Sequence, residues 1–287
     1  MRSASRDSRV AMVGASSLLG KEILNVLKER GFPASQVSEL SAEGGAPEIP
    51  ILDVEEKPLP LVKGESLEED EYDFVFIASR AQSAEGKRWF HEHFEESAEA
   101  PAAGKGRTGR WVIDAAGCAP PSMKGWALSI PSLDPRQDNL VRAASEGSRF
   151  FASPHAAAIV ISHLLLRLAA SLSVQRAVVE VFNPASELGP EAIDELQKQT
   201  VSLLSFQQLP QDFFGVQTAF NMIPRLGGKG RENFLDLEER IRQEVKQILA
   251  GQAPAVRLVQ SPAFYSLAFS FYVETAHGLT AAKVEQA

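Results

Sequence analysis

A short stretch near the amino terminus has the residue types and spacing of a nucleotide-binding turn. The apolar run Val10–Val13 is followed by Gly14, and Gly20 lies six residues later, within a helical pattern. This order predicts a strand, a tight turn and a helix, whose first amide groups point at the turn and favour a pyrophosphate. Ser17 stands where a third glycine is often found. We expect cofactor contacts from this turn, and the alternative is an ordinary strand-to-helix turn. The expected contact residues are Gly14, Ser16, Ser17, Leu18 and Leu19.

A second apolar run completes the predicted cofactor site. Residues 74–79, Phe-Val-Phe-Ile-Ala-Ser, form a continuous apolar segment that ends in small residues, which is typical of a parallel strand buried on both faces. The carboxyl ends of such strands face the cofactor crevice. We therefore expect Ala78 to line that crevice.

The predicted second strand, residues 37–41, bears on the choice between NAD and NADP. An acidic residue near its end suits a free ribose 2′-hydroxyl, whereas an arginine suits a 2′-phosphate. No lysine or arginine lies between Arg30 and Lys57, while Glu39 and Glu43 are both present. The sequence therefore favours NAD over NADP.

The chain has few other reactive side chains. Cys118 is the single cysteine, which excludes an internal disulfide. It stands at a strand end that faces the predicted crevice, and it is either a nucleophile or, as free cysteines usually are, a small buried hydrophobic residue. The five histidines lack metal-ligand spacing, and His91 and His93 would point to different sides of a helix. We expect no metal site.

Composition limits the class of protein. With 287 residues, of which 44% are hydrophobic, the chain is long enough for two domains with separate cores. Its net charge of −8 disfavours a nucleic-acid or anionic-membrane partner. No apolar run of about 18 residues occurs, and the amino terminus lacks the apolar centre of a signal peptide. We therefore expect a cytoplasmic protein.

The first half of the chain alternates strands and helices. A helix is predicted over residues 18–30, where apolar residues recur every three or four positions. Further strands are predicted at residues 111–114 and 128–135, the latter being the exit of the domain. This order predicts an α/β domain over residues 1–135, built on a Rossmann-type doubly wound parallel sheet.

The second half, residues 136–287, is expected to form an α+β dimerisation domain in which helices cover one face of a sheet. Pro190 opens one helix, and Asp236 and Glu239 form a capping-box pattern before another. The predicted last strand, residues 267–273, alternates apolar residues on one side. The other face of such a sheet often pairs with a second subunit, and the alternative is that the aromatic residues nearby all lie in the intrachain core. Those residues are Phe264, Tyr265, Phe269, Phe271 and Tyr272.

Several segments, taken in order along nearly the whole chain, resemble the aspartate-semialdehyde dehydrogenase family. The similarity depends on their common order and spacing, since each segment alone is a modest match. The segments are V-A-M-V-G-A-S-S-L-L-G-K-E at the turn, W-V-I-D-A-A-G, A-S-P-H-A-A-A-I-V, E-L-G-P-E-A-I-D-E-L-Q-K-Q-T, A-F-N-M-I-P-R at 219–225, L-E-E-R-I-R-Q-E-V-K-Q-I-L, and the strand pair around residues 261–264.

The resemblance implies a chemistry whose reactive groups this chain lacks. Enzymes of that family reduce a β-aspartyl phosphate with NADPH, through a cysteine thiolate and an acid/base histidine. The resemblance places Ala156 at the thiol position and Leu267 at the histidine position. It also places Gln260 where an arginine would bind the substrate carboxylate, Asn183 where family members carry glutamine, and Pro120 where an arginine would bind phosphate.

Three further residues match or adjoin the family's site. Glu238 and Arg240 keep the charge type of its substrate-binding residues, and we interpret them as a solvated helix face. His155 replaces an asparagine beside the vacant thiol position, and we expect a cap or surface group there. Family members continue past the last strand pair with further strands and a long helix, which we expect this chain to lack.

These substitutions predict a catalytically inactive family member that keeps a nucleotide-binding or scaffolding role. The alternative is an NAD(P)-dependent semialdehyde dehydrogenase of amino-acid biosynthesis that works with unfamiliar residues. As partners we expect a second copy of the chain in a homodimer, or an active relative in a mixed dimer.

Overall fold

The chain folds into two compact units, Met1–Pro154 and His155–Ala287, each described here by itself. The structure is a computed structural model. It describes residues 8–32, 34, 37–40, 61–63, 72–79, 111–119, 126–128, 130, 149–226, 233–251, 253–278 and 280–285.

A seven-stranded sheet forms the first unit. All its strand pairs are parallel, and the order is β3-β2-β1-β4-β5-β7-β6. Strand order reverses at β1, as in a Rossmann-type sheet, and the predicted fold class is confirmed. The strands are β1 (Val10–Val13), β2 (Val37–Leu40), β3 (Leu61–Lys63), β4 (Phe74–Ile77), β5 (Trp111–Asp114), β6 (Trp126–Leu128) and β7 (Phe150–Ala152). Helix α1 (Leu18–Glu29) follows β1.

Strand β1 is buried on both faces, which is why its sequence is continuously apolar. Side chains alternate between the faces of a strand. Ala11 and Val13 therefore belong to one hydrophobic cluster, and Val10 and Met12 to another. Leu24 of α1 packs in the second cluster, so the helix covers that face of the sheet.

The first unit extends further along the chain than the sequence predicted. The expected boundary followed residue 135, but β7 pairs with both β5 and β6 and therefore belongs to the first sheet. The division lies after Pro154. Strand β6 ends at Leu128, and apart from residues 128 and 130 the strand expected at residues 128–135 lies outside the described residues.

The second unit contains a three-stranded mixed sheet in the order β10-β8-β9. Strand β10 is antiparallel to β8, and β9 is parallel to it. The elements are α2 (Ala156–Ser171), β8 (Val174–Asn183), a 3-10 turn (Ala185–Leu188), α3 (Pro190–Leu204), α4 (Phe234–Leu249), β9 (Ala255–Gln260), β10 (Ala268–Thr275) and α5 (Ala281–Glu285).

Helices α2 and α4 pack on one face of this sheet, which confirms the predicted α+β arrangement. The core joins residues such as Ile161 of α2 and Ile241 of α4 to Val179 of β8. Some of the aromatic residues near β10 lie in the intrachain core and others are exposed, so each of the two expectations holds for part of the set. Phe269 and Phe271 pack against this core, Phe264 packs against a second cluster, and Tyr265 and Tyr272 remain exposed.

The predicted cap of α4 was wrong by three residues. The helix begins at Phe234, and Asn233 is its N-cap, with a side chain that accepts a hydrogen bond from the amide of Leu235. Asp236 lies in the first turn and accepts a hydrogen bond from the Asn233 side chain. Glu239 instead bonds Arg242 and Gln243, and these contacts lower its pKa to about 2. The sequence placed the cap one helical turn too late because both turns carry an acidic residue.

Two buried polar residues of α3 hold the segment that follows it. The carboxylate of Glu195 accepts hydrogen bonds from the amides of Phe213 and Phe214. The side chain of Gln199 accepts from the amides of Thr218 and Ala219 and donates to two backbone carbonyls, of Pro210 and Val216. The i, i+4 spacing places both side chains on one helix face. There they form hydrogen bonds with backbone groups of the following segment that would otherwise lack partners.

Several expectations lie outside the described residues, including those on Glu43, on His91 and His93, and on Pro120. Among the described residues, no helix has the length and apolar character needed to cross a bilayer.

We predict that Gln199→Ala destabilises the second unit by about 2–4 kcal/mol, because it leaves two buried amides and two half-buried carbonyls without this partner. The measurements are denaturant unfolding and hydrogen exchange, which should accelerate at Thr218 and Ala219. Gln197→Ala, an exposed change on the same helix, is the control, with an expected effect within about 0.5 kcal/mol. Equal effects of the two variants contradict the anchoring role.

Candidate functional site

The turn after β1 requires two glycines. Gly14 has φ +79°, and a Cβ built there would lie 2.2 Å from the Cβ of Ser79, so the turn packs directly on the end of β4. A Cβ on Gly20 would lie 2.3 Å from the carbonyl oxygen of Gly14. No side chain fits at either position, and the helix therefore begins close against the turn.

Ser17 caps helix α1. Its hydroxyl accepts a hydrogen bond from the amide of Gly20 at 2.9 Å and donates to the carbonyl of Ala78 at 2.9 Å. This links the start of α1 to the end of β4. The amides of Leu18 and Leu19 belong to the first helical turn, which has no backbone acceptors within the helix, and they are the groups that could bind one phosphate.

The structure brings the predicted cofactor residues together. Ser16 is half-buried in the turn, and Leu18 and Leu19 are exposed at the helix start. Ala78 is buried, and its amide donates to the carbonyl of Val13. Ala78 therefore contributes its backbone carbonyl to the turn, where it accepts the hydrogen bond of the Ser17 hydroxyl.

The loop after β5 forms the neighbouring part of this sheet edge. The carboxylate of Asp114, fully buried, accepts hydrogen bonds from the amides of Ala116, Gly117 and Ala119. Cys118 is half-buried in this loop, and its sulfur lies 3.7 Å from the carbonyl oxygen of Ser79. A buried carboxylate therefore holds the backbone on both sides of Cys118, and the thiol lies beside Ser79, the residue that packs on Gly14.

The position that the resemblance assigns to a thiol lies at the start of α2 in the second unit. Ala156 is the first residue of this helix and is exposed. His155 is the N-cap, and its Nδ1 accepts a hydrogen bond from the amide of Ala157. Its Nε2 lies 3.4 Å from a carboxylate oxygen of Glu187. Both ring nitrogens are therefore in use, as expected for a capping residue.

A buried carboxylate holds the backbone at this position. Glu244 of α4 accepts a hydrogen bond from the amide of His155 at 2.8 Å and another from Arg240 at 2.7 Å. Its side chain is 2% exposed, and that of Arg240 is 15% exposed. A buried charge requires such partners, so the three residues form one unit of structure.

The expectation of a solvated face for Glu238 and Arg240 is therefore wrong. Arg240 is mostly buried against Glu244. Glu238 is 12% exposed and accepts hydrogen bonds from the amide of Leu258 and from Arg257 on β9. Glu238 attaches α4 to β9, whereas Arg240 pairs with Glu244 of its own helix. Helical spacing alone does not reveal either role.

The other positions that the resemblance assigns to site residues are buried or apolar in this chain. Asn183 and Gln260 lie opposite each other on β8 and β9, both fully buried, with their side-chain amides 3.3 Å apart. The Gln260 amide also donates to the carbonyl of Ser261. Leu267 is half-buried and packs against the hydrophobic core. These side chains form part of the interior of the second unit.

Sequence reasoning missed the two carboxylates that define this region. Glu244 stands four residues after Arg240, a spacing that favours an ion pair on one helix face and could have drawn attention to it. Glu187 carries no such signal, because its partner His155 is distant in sequence. Among the described residues, no group of three metal-binding side chains occurs.

The chain resembles proteins of one enzyme family in sequence. The family model for the semialdehyde dehydrogenase dimerisation domain matches residues 165–287. An aspartate-semialdehyde dehydrogenase of Rickettsia bellii is 23% identical over 278 residues, which are 96% of this chain and 76% of the relative. A USG-1 protein homologue of Pseudomonas aeruginosa is 26% identical over 284 residues, 98% of this chain and 77% of the relative.

Solved structures show the same fold. Aspartate-semialdehyde dehydrogenase II of Vibrio cholerae, in complex with ASA, matches with a TM-score of 0.74 at 22% identity and covers 98% of this chain and 78% of its own. An aspartate-semialdehyde dehydrogenase of Candida albicans with NADP matches with a TM-score of 0.58 at 14% identity, covering 98% and 75%. The shared order of elements and the sequence matches along both units support the expected resemblance of this chain to the aspartate-semialdehyde dehydrogenase family.

Proposed function

We propose that this chain is a non-catalytic member of the aspartate-semialdehyde dehydrogenase family that binds NAD at the Gly14–Gly20 turn and assembles as a homodimer. The observation that carries the proposal is the chemistry around Ala156. A methyl group stands where the family's resemblance implies a thiolate, and a methyl group cannot attack a carbonyl.

The neighbouring side chains supply no substitute. Leu267 packs into the core at the position of the acid/base histidine, so no proton transfer is available there. Gln260 is fully buried and bonded to Asn183, and a neutral amide in that place neither binds nor orients an acidic substrate as an arginine would. Covalent catalysis, proton transfer and substrate orientation are thus all removed.

His155 does not replace them. A general base needs an unoccupied nitrogen, but Nδ1 accepts the amide of Ala157 and Nε2 contacts Glu187. The carboxylate of Glu187 also places negative charge beside this helix start, which disfavours an acyl phosphate. These contacts support a structural role for His155.

The nucleotide turn supports a retained binding role. Its two glycines still allow the close packing that a pyrophosphate site needs, and the first amides of α1 remain available to a phosphate. Glu39, in register with Met12 on β1, and the absence of basic residues over positions 31–56 support NAD over NADP.

The second candidate is an active NAD(P)-dependent semialdehyde dehydrogenase of amino-acid biosynthesis. The names of the relatives favour it, since the Rickettsia bellii and Vibrio cholerae proteins are described as aspartate-semialdehyde dehydrogenases. In that case other residues, such as Cys118, would have to supply the nucleophile. A mixed dimer with an active relative is a third role, in which the inactive chain regulates its partner.

For the nucleotide we expect NAD to bind at least as tightly as NADP in calorimetric titrations. Gly14→Ala should abolish binding, because its Cβ collides with Ser79. Gly31→Ala is the matched control: it also lies at positive φ, but a Cβ there meets nothing within 4 Å, and binding should persist. A clear preference for NADP contradicts the reading of Glu39, and binding that survives Gly14→Ala contradicts the assignment to the turn.

For the reaction we expect no phosphate-dependent reduction of NAD or NADP with aspartate semialdehyde. Ala156→Cys alone should not restore turnover, since Leu267 and Gln260 still lack the proton-transfer and orienting groups. Spectrophotometric assay of the wild type and Ala156→Cys checks this, with Cys118→Ala as the control. Wild-type turnover that disappears in Cys118→Ala would establish the second candidate.

A further inference from the structure

The ring of His155 joins two elements of the second unit through its two nitrogens. Nδ1 accepts a hydrogen bond from the amide of Ala157 at 3.1 Å and so caps the first turn of α2. Nε2 lies 3.4 Å from a carboxylate oxygen of Glu187 in the 3-10 turn. A nitrogen that accepts a hydrogen bond carries no proton, so the proton of the neutral imidazole is on Nε2, next to the carboxylate.

The backbone on both sides of this ring is held by other contacts. The amide of His155 donates to the carboxylate of Glu244 at 2.8 Å. The 3-10 turn is attached to the segment after β9, because the amides of Ala185 and Ser186 donate to two of its carbonyls. The ring can therefore exchange one hydrogen bond for another while the backbone at residue 155 and in the 3-10 turn stays in place.

A positive charge on the ring changes which of its two partners is favourable. The charged groups that contact residue 155 among the described residues are Glu187, which faces the ring, and Glu244, which accepts the backbone amide and also binds Arg240. The first turn of α2 is the positive end of the helix dipole, which disfavours a cation at the cap position. A protonated ring is thus attracted to Glu187 and repelled by the start of the helix.

We propose that His155 is a proton-operated switch of the start of α2. In the neutral state Nδ1 accepts the amide of Ala157. When Nδ1 takes a proton from solvent it becomes a donor, two N–H groups face each other, and the capping bond breaks. The imidazolium turns to Glu187, with which it forms a charge-assisted hydrogen bond, and the first turn of α2 loses its cap.

The surroundings of the ring allow both states. The side chain of His155 is 10% exposed and that of Glu187 is 30% exposed, so water reaches the carboxylate that receives the charged ring. The helix that the switch controls begins at Ala156. The protonation state of His155 therefore decides how firmly this helix start is held, which is a property beyond nucleotide binding and the absence of turnover.

The test is hydrogen exchange at the amide of Ala157 in the full chain, followed by NMR from about pH 8 to about pH 5, the range in which histidines ordinarily change charge. Protection factors remove the intrinsic pH dependence of exchange. We expect the wild-type protection to fall about fivefold as the pH decreases, the factor that corresponds to loss of a side-chain cap. The amide of Leu165, a buried residue in the middle of α2, should keep its protection.

His155→Asn is the matched variant, because asparagine also caps helices but does not titrate. Its protection at Ala157 should stay constant over this pH range, whereas His155→Ala should show low protection throughout. Glu187→Gln removes the anionic partner of the charged ring, so the cap should persist to lower pH than in the wild type. His163→Gln, a change on the same helix away from its cap, should leave the wild-type response unaltered.

Constant protection of Ala157 in the wild type overturns the switch. A fall of the same size in His155→Asn also overturns it, because a different group would then be responsible. Nitrogen NMR of the imidazole provides a second readout, and a proton on Nδ1 at about pH 8 contradicts the neutral capping state. None of these measurements involves a nucleotide or a substrate, so their failure is distinguishable from a failure of the proposed function.

Discussion

A buried carboxylate, that of Glu244, holds the backbone at the start of the second unit. Glu244 must find partners because an isolated buried charge is costly, and it finds them in Arg240 on its own helix and in the backbone amide of His155. The start of α2 is thereby attached to α4 through the backbone. The attachment uses the backbone amide of residue 155, so the position of Ala156 does not depend on its own side chain.

The other family positions show the same separation of architecture from chemistry. An arginine at position 260 or a histidine at position 267 would bring a charge or a polar ring into the interior, whereas Gln260 bonds Asn183 and Leu267 joins the core. Neutral, hydrogen-bonded or apolar groups are buried at lower cost than charged ones. Positions 260 and 267 therefore carry side chains suited to a protein interior, while the Gly14–Gly20 turn of the first unit has both glycines that its close packing requires.

Sequence reasoning succeeded where structure depends on local pattern. The periodicity of α1, the buried run of β4 and the proline that opens α3 each predicted their element within a few residues. The prediction was wrong where two neighbouring segments carried similar capping patterns, as at the cap of α4. It also failed where an element was too short to classify, since β7 has three residues and only its partners in the sheet assign it to the first unit.

By itself the sequence determined the order of strands and helices, the glycine turn and the absence of a thiol at position 156, because these depend on residue types within short segments. Only the tertiary structure decided which charges meet. His155 and Glu244 are separated by 89 positions, and no periodicity links them. The burial and the contacts of Glu238, of Arg240 and of the aromatic residues near β10 likewise depend on the tertiary structure. A side chain's burial depends on which distant segment packs against it, and the local pattern contains no information on that choice.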